Sequence, residues 1–169
     1  MYRHIVFQGG GAIGFRYIGV IGKLIKENRL VLSDVKSIHG TSVGSIIGAL
    51  MCMKNDWEDI EEYFVKRPWE KVFKVTGKTI IDMYRSRGMF REQSMKIIME
   101  PILASNGLST DVSLGDLYSY SGVDLHVFSF DMNTKKTVDI SHKTHPSLSL
   151  VRAIYMSSSV PVLCSPIIE

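Results

Sequence analysis

Cysteine is scarce in this sequence, and the two that occur do not pair by pattern. Cys52 and Cys164 lie far apart and neither belongs to a C-x-x-C, so neither a disulfide framework nor a cysteine zinc site is expected. A reducing compartment is the mild inference. Long apolar runs are also missing: none reaches the ~18 residues that a membrane-spanning helix needs. The N-terminus has no basic stretch followed by a clean apolar run and a small-residue cleavage site. Its apolar start is cut by Gly9-Gly10-Gly11, which argues against a signal peptide and for a cytoplasmic protein. Charge is not strongly of one sign either. The net charge of +3 does not by itself choose among neutral, anionic-lipid and nucleic-acid partners. Internal repeats and low-complexity tracts are absent.

What is present reads as one domain over residues 1–169. At 45% hydrophobic and 22% charged residues, the composition is that of an ordinary globular chain. A chain of this size buries roughly 70% of its unfolded surface, enough for a core without staples.

The patterning is strand, helix, strand, helix. His4 to Gln8 is an apolar run stopped by glycines and reads as a buried strand. Arg16 to Asn28 reads as a helix, with Ile18, Ile21 and Ile25 sharing one face. Val35 to His39 is the second strand. Val43 to Met53 is apolar nearly all round and predicts a buried helix. This alternation predicts a parallel α/β sheet. Asp56 predicts a cap for a helix that Pro68 ends. Residues 66–88 mix basic and aromatic side chains; they read either as a solvated connector or as a surface for lipid headgroups. Phe90 to Ser105 predicts a helix, kinked at Pro101, with Ile97, Ile98, Ile102 and Leu103 inward. Ser113 predicts a cap. Leu125 to Phe130 reads as a strand buried on both faces. A turn at Asn133 to Lys136 and a strand at Thr137 to Ser141 follow. Ser147 predicts the cap of a last helix that reaches Met156.

Two glycine motifs carry the chemistry. Gly40-Thr41-Ser42-Val43-Gly44 is G-x-S-x-G between a strand and a helix, the pattern of a nucleophilic serine on a sharp turn. The amide of Val43 then points toward a developing oxyanion. Gly9-Gly10-Gly11-Ala12-Ile13-Gly14 also lies between a strand and a helix. It satisfies G-x-G-x-x-G, but a dinucleotide site wants an acidic residue at the end of the second strand. This chain ends that strand with His39-Gly40, and Asp34 precedes it. Consecutive glycines at a helix N-terminus instead offer backbone N–H groups to an oxyanion, each worth ~3–4 kcal/mol in a transition state. In a parallel sheet both motifs open on the same edge.

A G-G-G-x-x-G loop followed about thirty residues later by G-T-S-V-G resembles the patatin-like phospholipases. Arg87-Gly88-Met89-Phe90, Phe130 to Thr134, and Leu150 to Pro161 resemble further segments of that family in the same order, so the likeness runs along nearly the whole chain. The resemblance implies a three-layer αβα fold with a mainly parallel sheet, and a lipid acyl hydrolase that works through a Ser–Asp dyad. Ser42 would be the nucleophile, Gly9 to Gly14 would form the oxyanion hole, and Gly40, Thr41, Val43 and Gly44 the nucleophile turn. It implies no metal and no organic cofactor. The partners would be a phospholipid or neutral lipid at a membrane or lipid-droplet surface, not a nucleic acid. Ile13 stands where the family often carries Arg or Lys, which bears on headgroup preference.

The base is the open question. The family's aspartate lies in an Asp-Gly-Gly or Asp-Gly-Ala motif shortly after the region matching Pro161 to Pro166. This sequence contains no Asp-Gly dipeptide and ends at Glu169. The expectation is therefore a domain incomplete at its C-terminus and weakly active or inactive as it stands. Two alternatives are a non-catalytic lipid- or protein-binding remnant, and an esterase whose base is His142 or His145 with Asp131 or Asp139. Glu169 is an acid that nothing in the sequence places.

Overall fold

Three parallel strands end in turns on one edge of the sheet, and a fourth returns antiparallel beside them. The computed structural model describes residues 2–69 and 91–159. Strands β1 (His4–Phe7), β2 (Ser37–Thr41), β3 (Asp124–Asp131) and β4 (Lys136–Ile140) form a sheet in the order β1-β2-β3-β4. β1, β2 and β3 are parallel, and β3 and β4 antiparallel. The fold is α/β with a mixed, mostly parallel sheet. Phe7 pairs with Gly40, and Thr41 with Phe128. The C-terminal ends of β1 and β2, each followed by a glycine motif, therefore lie side by side.

Each crossover has a local cause. Gly11–Phe15 forms a short 3-10 turn that feeds helix α1 (Arg16–Lys26). Asn28 then adopts a left-handed φ of 55° and stops the helix, as Asn can. β2 begins two residues later than its apolar pattern predicts. A 3-10 turn at Leu32–Asp34 takes up the approach, and Val35 N–H bonds Leu32 O at 3.1 Å. Helix α2 (Val43–Met51) is buried at every residue. It lies close on the sheet because Gly48 leaves room: a Cβ there would stand 2.9 Å from both Ile38 and Leu125.

Helix α3 (Trp57–Lys66) packs on α1, where Trp57 Nε1 donates to Ile18 O at 2.8 Å. Asp56 stands at its N-cap position but makes no side-chain capping bond. Helix α4 (Glu92–Ser105) continues through Pro101. Its inward face is Met95, Met99, Ile102 and Leu103, not the predicted set with Ile97 and Ile98. Ile98 instead faces a cavity. Helix α5 (Leu114–Ser121) is capped by Ser113, whose oxygen accepts from Asp116 N–H at 3.1 Å. Helix α6 (Leu150–Ser158) is capped by Ser149, not by Ser147 as predicted; Ser149 Oγ accepts from Arg152 N–H.

β3 alternates instead of being buried on both faces. Leu125 and Val127 join Phe7, Ile38 and Ile140 under the helices. His126, Phe128 and Phe130 point the other way, and Phe130 is 55% exposed. Hydrophobic burial therefore fixes strand register from one side only. Most of residues 66–88, including the Arg87-Gly88-Met89 segment, lies outside the described residues.

Candidate active site

Ser42 stands between β2 and α2 in a backbone conformation that a side chain rarely adopts. Its φ is 54° and ψ −125°. Such a conformation costs a non-glycine residue of order 1–3 kcal/mol and persists only where its surroundings over-determine it. The surroundings here are specific. Ser42 N–H donates to Ser157 Oγ at 2.8 Å, across 115 residues of sequence. Ser45 Oγ donates to Ser42 O, and Ser45 N–H donates to the same oxygen at 2.8 Å. Ser157 Oγ–H donates in turn to Phe128 O of β3.

The flanking glycines are required by close approach. A Cβ on Gly40 would lie 2.5 Å from Gly44 O, and one on Gly44 would lie 2.6 Å from Phe7 O. These are backbone atoms and cannot move aside. A Cβ on Gly14 would run into Val43 Cγ1, so the first glycine loop and the serine turn interlock at this pair. Gly9 sits over the serine: its Cβ would be 3.4 Å from Ser42 Cβ. Gly11 has a left-handed φ of 55°. Gly9, Gly10, Gly11, Ala12 and Ile13 are exposed and Gly14 is buried. The two motifs thus meet at one edge.

They open into a cavity of about 860 Å3, within the ~300–1,000 Å3 range of small-molecule sites. Its described walls are largely apolar: Gly11, Ala12, Phe15, Ile18, Gly19, Val43, Ile46, Phe64, Val65, Trp69, Met95, Ile98 and Tyr155. Ser42, Ser94, Ser158, Glu61 and Arg91 supply the polar groups. An apolar chamber with few polar groups suits a long hydrocarbon better than a sugar or a nucleotide.

The candidate bases do not come to Ser42. β4 runs antiparallel to β3, so its end returns His142 and His145 toward the edge where β3 begins. Ser42 lies at the opposite edge. His142 Nδ1 is 3.1 Å from Asp124 Oδ1, and its ring stacks on Tyr118 with centroids 3.7 Å apart. His145 Nδ1 is 2.9 Å from Thr144 Oγ1. Asp139 holds His126 Nδ1 at 2.9 Å. Asp131 accepts from Asn133 N–H and Thr134 Oγ–H within its turn; these bonds hold its carboxyl below the ordinary range. The triad alternative built on His142 or His145 is therefore not assembled. Among the described residues, no side chain hydrogen-bonds the Ser42 hydroxyl. Nor do they contain a group of three His, Cys, Asp or Glu able to hold a metal ion.

Sequence reasoning missed Ser45, Glu61 and Arg91, and placed Ser157 only inside the Leu150 to Pro161 segment that resembles the family, without a role. Ser45 was within reach, since a serine three residues along commonly bonds back to a backbone carbonyl. Glu61 and Arg91 come from distant segments and carry no local signal.

A strained serine between two glycine turns, at the mouth of an apolar chamber on an α/β sheet edge, defines a serine-hydrolase-like arrangement. Comparison narrows the class: the family model for patatin-like phospholipase matches residues 5–168, and the chain belongs to that family. It is 21% identical over 166 residues to an uncharacterised protein of Acanthamoeba polyphaga mimivirus, covering 98% of this chain and 54% of that one. It is 27% identical over 167 residues to the neuropathy target esterase sws of Drosophila melanogaster, covering 96% of this chain and 10% of that protein. The chain therefore spans about half, or far less, of these relatives. Among solved structures, it superposes on the type III effector protein ExoU of Pseudomonas aeruginosa with a TM-score of 0.62. There the identity is 16%, over 96% of this chain and 39% of the effector. That likeness concerns the fold, and it agrees with the three-layer α/β class expected from the sequence. No helix among the described residues is long and apolar enough to cross a membrane.

Proposed function

We propose that this chain is a serine lipid acyl hydrolase domain in which Ser42 attacks the carbonyl of a fatty-acyl ester. The single observation that carries this reading is Ser42 at a φ of 54°, lining an apolar cavity between two glycine turns. The Ser42 oxygen bonds to the ester carbon while its proton passes to a base. The carbonyl oxygen becomes an oxyanion facing backbone amides. Collapse expels the alcohol, which takes up the proton, and water then hydrolyses the acyl-serine. Val43 N–H opens α2 and has no intrahelical acceptor by position, so it is free to serve as a donor, with amides of Gly9 to Gly14 as the others. The cavity receives the acyl chain of a phospholipid or neutral lipid at a membrane or lipid-droplet surface. No organic cofactor or metal enters this scheme.

The reading includes weak turnover for the chain as it stands, because no base meets the Ser42 hydroxyl among the described residues and a serine without one is a poor nucleophile at neutral pH. A non-catalytic, lipid- or protein-binding remnant of the fold is favoured by that same hydroxyl, which no side chain bonds among the described residues. A fluorophosphonate probe and p-nitrophenyl ester turnover test both. Labelling that Ser42→Ala removes supports the hydrolase. No labelling at Ser42 supports the remnant. Robust turnover abolished by Ser42→Ala would refute the weak-activity part and place a base within these residues.

A further inference from the structure

We propose that Ser157 is a positioning residue that holds Ser42 in its reactive conformation by taking up the Ser42 amide. This inference rests on Ser42 being the nucleophile. It starts from two hydrogen bonds to one hydroxyl. Ser157 Oγ accepts from Ser42 N–H at 2.8 Å and donates to Phe128 O. It therefore ties the last turn of α6 to the elbow on one side and to β3 on the other. Only a hydroxyl can both accept and donate from a single atom at this place.

Both backbone groups of Ser42 are then bound by serine side chains, the amide by Ser157 and the carbonyl by Ser45. A residue whose two flanking peptides are both held keeps its left-handed φ, which it would otherwise relax. The arrangement also divides labour at the site. Because the Ser42 amide is committed to Ser157, the oxyanion must be met by other donors, Val43 and the first glycine loop. Without Ser157 the Thr41–Ser42 peptide can rotate, and the Ser42 hydroxyl turns out of line with the Val43 amide, whose peptide Ser45 still holds through the Ser42 carbonyl.

A neighbouring bond provides the control. Ser129 Oγ donates to Met156 O at 3.0 Å. It fastens the same turn of α6 to the same strand but does not touch Ser42. Ser157→Ala, Ser157→Thr and Ser129→Ala separate the two roles. The readouts are the fluorophosphonate labelling rate at Ser42, amide hydrogen exchange at Ser42, and Tm. Loss of the bond to the Ser42 amide predicts about five- to tenfold slower labelling for Ser157→Ala, with Ser42 amide exchange faster by a similar factor. Ser157→Thr keeps both. Ser129→Ala, which removes one hydrogen bond where Ser157→Ala removes two, lowers Tm by less but leaves the labelling rate unchanged. Equal labelling in Ser157→Ala and wild type, or equal slowing by Ser129→Ala, overturns the positioning role. If wild type does not label at all, the reading of Ser42 as nucleophile fails instead. The exchange measurement then still decides whether Ser157 holds the elbow: unchanged protection of Ser42 in Ser157→Ala overturns it.

Discussion

His39 and His126 lie face to face on the sheet face opposite α2, half-buried, with ring centroids 4.4 Å apart and planes 12° from parallel. They belong to a chain of polar side chains that crosses every strand. His4 Nδ1 meets Ser37 Oγ at 2.9 Å, and Ser37 Oγ meets His39 Nε2 at 3.0 Å. His126 is held by Asp139 at 2.9 Å and lies 3.3 Å from Asp124. Asp124 also takes Lys143 and His142. Burial lowers the His39 pKa first and the His126 ring second, against the pull of Asp139 and Asp124.

Acid is therefore expected to loosen the fold through His39. A histidine whose pKa is depressed on folding binds its proton more readily in the unfolded chain. Its contribution is whole above the unfolded value of 6.5 and is lost as pH falls through the folded value. Asp124 follows at lower pH. Burial alone would raise its carboxyl, but Lys143 and the two imidazoles hold it below 3.8, and that stability goes as pH drops below this range. Tm should fall by a few degrees between pH 7.5 and pH 5.5. In His39→Phe, which keeps the stack, the drop over this window should shrink. A Tm slope unchanged by His39→Phe would contradict the assignment.

Relieving strain at Ser42 should stabilise the protein while removing the proposed nucleophile. The Ser42 hydroxyl has no hydrogen-bond partner among the described residues, so its loss sacrifices no bond. Glycine accepts a φ of 54° without steric cost, though it loses more entropy on folding. We expect Ser42→Gly to gain about 1 kcal/mol, read as a Tm rise of about 2–4 °C. Ser42→Ala keeps the strain and should show no such gain.

The glycines should rank by what a methyl group would meet. Gly44→Ala and Gly40→Ala place Cβ 2.6 Å from Phe7 O and 2.5 Å from Gly44 O, and each should cost about 3 kcal/mol or more. Gly11→Ala meets no atom within 4 Å but keeps a φ of 55°, so about 1–2 kcal/mol is expected. Gly14→Ala collides with a side chain, Val43. Adding Val43→Ala should recover part of that loss, which a double-mutant cycle by urea unfolding would show as favourable coupling.

Cys52 should be chemically silent until the protein opens. It is 2% exposed at the end of α2, and burial pushes its thiol up to about 12, against a hydrogen bond with Ser121 that lowers it. The thiolate is the reactive form. In a Cys164→Ser background, a disulfide reagent at pH 7.5 should detect no thiol within minutes and one thiol after urea. Rapid reaction in buffer would show that the end of α2 opens locally.

How far the sequence reaches can be judged element by element. The buried helix over Val43 to Met51 was legible because every position is apolar or small, which leaves no polar face to expose. The two glycine motifs and their shared edge followed from strand–glycine–helix order, since parallel strands must end together. Phe128 and Phe130 were misjudged because an apolar run carries no mark of which residues face helices. β4's direction, and with it the distance of His142 and His145 from Ser42, depended on a tight turn at Asn133 to Lys135. Ser147 and Ser149 offer equal capping chemistry, and only packing chose between them. Local chemistry by itself determined the class of fold, the serine turn and the glycines that permit it. Tertiary structure alone decided that Ser157 meets Ser42 across 115 residues, that His142 and His145 lie at the far edge, and that the serine opens on an apolar chamber. Those contacts join segments far apart in the chain, and only the closing of the sheet brings them together.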